Sequence, residues 1–143
     1  MEVQRTSQPE NEFILKDDDV LVQFFANQDR LFASKKARVS ARAATATKQF
    51  FKQHVLGHFA YEERHVFPGL LQAGLGPDVA RAVADIRKDH RALCKEVKQL
   101  TALLATTELS RAEVANLRVA MAAFGKHLER HSAMENKLFP SLV

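Results

Sequence analysis

The chain is poor in cysteine, glycine, proline and tryptophan, and it has no long apolar run. Its single cysteine, Cys94, excludes an internal disulfide framework and is typical of a reducing cytoplasm. Five glycines, four prolines and no tryptophan, beside abundant Ala, Leu, Lys, Arg, Glu and Gln, favour helix over strand. No segment approaches the roughly 18 apolar residues of a membrane span, and the start MEVQRTSQPENEF lacks a signal-peptide layout. The sequence therefore predicts a helical, soluble, cytoplasmic protein.

Length and charge limit the number of domains and the kinds of partner. A chain of 143 residues fits one domain with a sizeable core. We expect residues 1–16, which are polar and aperiodic, to form a flexible lead-in, and residues 17–143 to form the domain. The net charge of +4 includes a basic cluster, Lys35, Lys36, Arg38, Arg42, Lys48 and Lys52. Because no nucleic-acid motif accompanies this cluster, we interpret it as a solvated face and expect no nucleic-acid or membrane partner.

Hydrophobic residues recurring every three or four positions predict two helices in the first half of the domain. Helix A begins at the acidic residues 17–19, which suit an N-cap and a first turn, and runs to about Ala44. Helix B begins at residues 45–47 and ends at Phe67, because Pro68 disfavours helical geometry in the residue before it. A short tail through Leu71 continues it.

Turn and capping signals divide the second half into two more helices. Residues 73–78 read AGLGPD, with glycine to end a helix and proline to begin the next, helix C. Ser110 and Glu113 form an S-x-x-E capping box that opens helix D. Four long helices joined by short turns predict an all-α, up-down-up-down four-helix bundle.

Two segments place charged or imidazole groups where an amphipathic helix buries its apolar stripe. HFAYEERHVFP begins with His58 and carries Glu62 four residues later, and AFGKHLERHSAMENKLFP repeats this spacing with His131 and Glu135. Residues four apart lie one above the other on the same side of a helix. The two side chains of each pair therefore lie next to each other on the buried face. Chance would supply fewer than one His and Glu pair at this spacing in a chain of this composition.

The turns also predict the heights of these residues in the bundle, since two residues of an antiparallel pair lie level when the turn falls midway between them. The midpoint of Asp29 and His58 falls at the predicted A–B junction, that of Glu62 and His90 in the Gly-Pro turn, and that of His90 and His131 at the C–D turn. Each of the six also lies on its helix's apolar stripe. We therefore expect six groups to converge inside the bundle: Asp29, His58, Glu62, His90, His131 and Glu135.

Burying six ionisable groups together is costly unless they are paired or hold a metal. Imidazoles and carboxylates suit two borderline cations such as iron, with the carboxylates able to bridge the pair. His90 alone would more often be a hydrogen-bonded core histidine. The whole constellation, at one height, is what predicts a metal centre.

The motifs HFAYEERHVFP, KDHRAL and HSAMENKLFP resemble those of the hemerythrin-like, or HHE cation-binding, domains over about residues 18–140. The resemblance implies a four-helix bundle holding a non-haem di-iron centre with carboxylate or oxo bridges. It also implies dioxygen binding, oxygen or nitric-oxide sensing, or protection from iron-linked damage. By matching position it assigns five ligands: His58 and Glu62 on helix B, His90 on helix C, and His131 and Glu135 on helix D.

Two positions depart from the family pattern. Asp29 stands where the family usually has a helix A histidine, and Ile86 stands where helix C usually has a second one. A site with less imidazole and more carboxylate favours redox, peroxide or iron-handling chemistry over reversible dioxygen carriage, and it admits manganese or zinc. His54 and His127 each lie four residues before a predicted ligand histidine. Either can complete the coordination or donate hydrogen bonds to the ligands.

Three functions remain open on the sequence alone. The first is a di-iron protein that handles or senses dioxygen, nitric oxide or reactive oxygen species, so that its partner is a small diatomic ligand or peroxide. The second is a small di-metal oxidase or peroxidase-like enzyme. The third is a structural or interaction bundle with a decayed metal site. Metal content separates the third from the others, and turnover with peroxide identifies the second.

Overall fold

The computed structural model describes residues 17–33, 38–105 and 108–138, and these form four helices. Helix α1 is Asp17–Leu31, α2 spans residues 41–72, α3 is Pro77–Leu104 and α4 is Arg111–Leu138. Each helix packs on the next along the chain, and α4 returns to pack on α1. The predicted all-α bundle is confirmed, while the predicted lead-in, residues 1–16, lies outside the described residues. None of these helices is long and apolar enough to cross a membrane.

Helix α2 alternates between α-helical and π-helical turns. Its segments are Ala41–Phe50 (α), Phe51–Leu56 (π), Gly57–Tyr61 (α), Glu62–Val66 (π) and Phe67–Gln72 (α). In the π segments the backbone N–H bonds the carbonyl five residues earlier instead of four, which widens the turn. Such wide turns are frequent at functional sites. The first ends just before the stretch HFAYEERHVFP, and the second lies within it.

The boundary between the first two helices differs from the prediction. Helix A was expected to reach about Ala44, but α1 ends at Leu31 and α2 begins at Ala41. The reason is the N-cap residue Ser40, whose hydroxyl accepts a hydrogen bond from the Ala43 amide at 3.0 Å. This bond satisfies one of the amides left unpaired at a helix start. The alanine-rich stretch therefore belongs to α2.

The far end of α2 also lies beyond its predicted position. The helix continues past Phe67 to Gln72, close to the end of the expected tail. Pro68 has no amide hydrogen to donate, and the π-helical turn directly before it lets the chain continue without an α-helical bond at that point. Proline usually ends a regular α-helix, but here it is tolerated because it lies where the helix changes from π to α.

The two later turns form as predicted. Gly74 and Gly76 have positive φ angles of 63° and 108°, a region that side chains with a Cβ rarely adopt. At the start of α4 the Ser110 amide donates to Oε1 of Glu113 at 2.8 Å, and the Glu113 amide donates to the Ser110 hydroxyl at 3.1 Å. The glycine turn and the capping box each involve residues only a few positions apart, so both can form without tertiary contacts.

Two apolar clusters fill the bundle, one on each side of a polar layer. The larger contains Phe24, whose ring centroid lies 5.4 Å from that of Phe124, and a Cβ added at Gly125 would lie only 2.8 Å from the Phe24 ring. The smaller contains Phe67, Leu70, Val83, Ile86 and Leu138. Along α3, Leu93 belongs to the larger cluster and Ile86 to the smaller. His90 lies between them, at the height of the polar layer.

Candidate metal centre

Four buried side chains from three helices bring their nitrogen and oxygen atoms together in the polar layer. Glu62 comes from α2, His90 from α3, and His131 and Glu135 from α4. One ligand atom from each lies within 4.8 Å of every other. None of the four is more than 3% exposed. Two carboxylates this deep in a bundle require compensating charge or hydrogen bonds.

Glu135 is fully buried and lies at the centre of this group. Its Oε2 atom is 2.9 Å from Nε2 of His131, one helical turn away, and 3.5 Å from Nε2 of His90 across the bundle. Glu62 approaches from α2, where its Oε1 atom lies 3.2 Å from the same His90 nitrogen. His90 therefore faces both carboxylates.

His58 adds a fifth side chain to the layer. Its Nε2 atom lies 3.2 Å from Oε2 of Glu62, its i+4 neighbour, and 3.9 Å from Oε1 of Glu135. Each carboxylate thus lies between imidazoles from different helices. Five of the six residues expected to converge do so in the structure.

The donor set fits a small cation. Oε1 of Glu62 and Nε2 of His90 are both buried and face each other at 3.2 Å, but neither has a partner with hydrogen-bond geometry in the described part of the chain. A buried polar atom without such a bond costs about 1–3 kcal/mol. A cation held between the nitrogen and oxygen atoms removes that cost, and mixed imidazole and carboxylate donors suit iron, manganese or zinc.

Comparison with known families agrees with this geometry. The family model for the hemerythrin HHE cation binding domain matches residues 11–142 of the chain. The chain belongs to the hemerythrin HHE family. Comparisons with curated proteins and with solved structures returned no match. Family membership and the buried His/Glu cluster together indicate a cation-binding site.

Two carboxylates hold the outer nitrogens of the imidazoles in this HHE domain. Nδ1 of His90 lies 2.7 Å from Oε2 of Glu63, and Nδ1 of His131 lies 2.8 Å from Oδ2 of Asp89. In metal sites such carboxylates fix the ring orientation and the tautomer, so that the other nitrogen faces the metal. Neither residue was predicted from the sequence. The available signal was adjacency, since Glu63 follows Glu62 and Asp89 precedes His90.

His127 supports one of these carboxylates. Its Nε2 atom lies 2.6 Å from Oδ1 of Asp89, and its Nδ1 atom lies 2.5 Å from Oε2 of Glu96. Burial by itself raises the pKa of Asp89, but the hydrogen bonds from His127 and His131 outweigh burial and lower it. With both ring nitrogens bonded to carboxylates, His127 fits the expected hydrogen-bonding role rather than direct ligation.

His54 and Asp29 are not brought into the layer. His54 is half-buried, with its ring 6.1 Å from that of Phe50, and it lies outside the four-residue group. Asp29 is exposed on α1. The connection between α1 and α2 is centred near residue 36 instead of residue 44, so Asp29 is level with the first turns of α2 and not with His58. The prediction that Asp29 converges with the other five is therefore wrong.

The carboxylates give the layer a negative potential that stabilises positive charge. Burial alone lowers the pKa of His90, but contacts with Glu135, Glu62 and Glu63 outweigh it and raise the pKa to about 9. Burial also lowers the pKa of His131, and Glu135 again reverses the direction, so that the pKa is raised. The same potential favours a bound cation.

Proposed function

We propose that this HHE domain binds two iron ions and uses them to handle or sense dioxygen, nitric oxide or reactive oxygen species. The observation that carries the proposal is the placement of each buried carboxylate between imidazoles from different helices. Glu62 lies between His58 and His90, and Glu135 between His90 and His131. In this arrangement a carboxylate is able to join two cations while the imidazoles bind them individually.

The protein's own residues shape how such a centre meets small ligands. Phe59 stacks on His90, with ring centroids 4.2 Å apart, and Phe67 flanks the same imidazole at 5.7 Å. These rings keep bulk water from one side of the layer and hold the imidazole plane in place. Bound iron would supply one-electron redox chemistry and open coordination positions. Anionic carboxylate oxygens favour the higher oxidation state, which supports redox handling over reversible carriage.

Metal analysis of aerobically purified protein, together with its visible spectrum, tests the proposal. We expect close to two iron ions per chain and charge-transfer bands in the near-ultraviolet and visible range. Zinc alone, or no metal after reconstitution with iron, would overturn it. Turnover of peroxide by the iron-loaded protein would identify a catalyst rather than a sensor.

Removing the metal should also cost stability. A cation that binds the folded state and not the unfolded chain contributes about 2.7 kcal/mol when its concentration is a hundred times its Kd. We therefore expect the chelated protein to melt several degrees below the loaded one. Equal melting temperatures would argue that the layer is ordinary polar core.

A further inference from the structure

A groove runs between α2 and α3, starting beside the metal centre and continuing away from it. It consists of two cavities of about 590 and 630 Å³. Leu56 and Lys98 line both cavities, so the two adjoin end to end. Each volume lies in the range of small-molecule binding sites.

The end nearest the metal centre is rimmed by positive charge. Arg91, Lys95 and Lys98 follow one another at i, i+4 and i+7 along the same face of α3, and Arg64 faces them from α2. Among the residues that line this cavity the single acidic one is Glu63. Its carboxylate is already engaged by Nδ1 of His90 at 2.7 Å and lies 3.9 Å from Arg87. This end therefore favours an anion.

The other end of the groove is mainly apolar. Its apolar lining residues are Phe51 and Leu56 from α2, Val97 and Ala102 from α3, and Ala105 directly after α3, while Lys48, Lys52 and Lys98 lie among the polar residues that complete it. Lysine side chains at its edges cover apolar surface with their stems while their ammonium groups reach water. From Arg91 to Leu104 helix α3 rises about 20 Å, which accommodates an extended acyl chain.

We propose that this groove binds a long-chain carboxylate, in other words a fatty acid. The carboxylate lies among Arg91, Lys95 and Lys98, and the acyl chain extends past Leu56 into the apolar half. Cations rim the whole groove, and four of them, Arg64, Arg91, Lys95 and Lys98, surround the end beside the metal centre, while the rest of the lining surface is mainly apolar, which matches an anionic head group followed by an acyl chain. The proposal stands on the groove and does not depend on the identity of the metal.

Calorimetric titration of the full chain with saturated fatty acids from octanoate to palmitate, below their micelle concentrations, tests the proposal. Affinity should rise about fourfold per added methylene until the groove is filled. Decanoate should bind about tenfold more tightly than decanol, which lacks the charge. Equal affinity for the acid and the alcohol, or binding of an acidic amphipathic peptide without binding of decanoate, would overturn the proposal.

Surface variants locate the two ends of the ligand. Lys95→Glu should weaken decanoate binding about tenfold. Lys126→Glu, at an exposed position on α4 that lines neither cavity, is the matched control and should change nothing. Ala102→Phe fills the apolar half, so it should remove the gain from the longest chains and leave octanoate unaffected. Equal losses in the Lys95 and Lys126 variants would refute the assigned site.

The single cysteine provides an independent readout. Cys94 lines the charged end, where burial raises the pKa of its thiol and Glu63 adds to the rise. Saturating decanoate should slow the reaction of Cys94 with a neutral thiol reagent at fixed pH, whereas decanol at the same concentration should have little effect. An unchanged rate under saturating decanoate would place the ligand elsewhere and contradict the proposal.

Discussion

The two outer flanks of the metal centre use the same chemistry in different surroundings. On the α4 side, Asp89 holds Nδ1 of His131 and is itself held by His127, with its side chain 20% exposed. On the α2 side, Glu63 holds Nδ1 of His90, but its side chain is 41% exposed and lines the groove. Asp89 is braced by His127 at 2.6 Å, whereas Glu63 has the more distant Arg87, at 3.9 Å, and faces solvent.

This difference indicates that the two imidazoles are not equally constrained. A carboxylate with few alternative partners fixes a ring more firmly than one that water can replace. We expect the braced flank to govern metal affinity and the open flank to admit exogenous molecules. Substitutions on the braced flank should therefore lower metal affinity more than substitutions on the open flank.

The largest loss of metal affinity should come from substituting Glu135, which contacts the imidazoles of both flanks. Glu135→Ala removes an oxygen near both His90 and His131, so metal affinity should fall by more than about 100-fold. Metal content after dialysis against a weak chelator measures this. His65→Ala is the matched control, because His65 is exposed and its ring packs on Tyr61. A Glu135 variant that retains its metal would remove this residue from the centre.

Asp89→Asn tests the braced flank. In the wild type one Asp89 oxygen accepts from His127 and the other from His131. The asparagine amide replaces one of these oxygens with an NH₂ group, so one of the two imidazoles loses its acceptor. Metal affinity should fall by about 10- to 100-fold, while far-ultraviolet circular dichroism stays that of the native bundle. Wild-type affinity in a competition titration would show that His131 needs no outer carboxylate.

Glu63→Gln tests the open flank by the same measurement. Water and the remaining amide oxygen can replace the exposed carboxylate, so the loss should stay below about tenfold. A loss of metal affinity as large as that of Asp89→Asn would contradict the expected difference between the two flanks.

His127→Gln should have a smaller effect again. Asp89 keeps its bond to His131, and only the outer brace is weakened, so affinity should drop by a few-fold, about 1 kcal/mol or less. The visible spectrum of the loaded protein should be unchanged, because His127 bonds carboxylates instead of the cation. A shifted spectrum would instead support His127 as a ligand.

Asp29 should have the smallest effect. Because it is exposed on α1, both Asp29→Ala and Asp29→His should match the wild type in metal stoichiometry, spectrum and reduction potential. A loss of one ion in the alanine variant, with recovery in the histidine variant, would restore the ligand role that the sequence alone suggested.

Features that depend on residues close together in the chain were predictable from the sequence. The bundle, the Gly-Pro turn and the capping box of Ser110 and Glu113 were predicted correctly, because each follows from residues within a few positions of one another. The convergence of His58 with four partners was also predicted, since i,i+4 spacing and antiparallel geometry leave little freedom once the turns are placed. Asp29 failed because the first turn was misplaced by about eight residues.

By itself, then, the sequence determined the helical class, the family and the inward placement of two H-x-x-x-E pairs, because periodicity and capping are local properties of the chain. Only the tertiary structure decided which acidic residues hold the imidazoles from outside. Glu63 and Asp89 lie beside predicted ligands, yet their partners are 27 and 42 residues away. Such pairings depend on helix rotation and packing across the bundle, and here the π-helical turns of α2 alter that rotation at the height of the site.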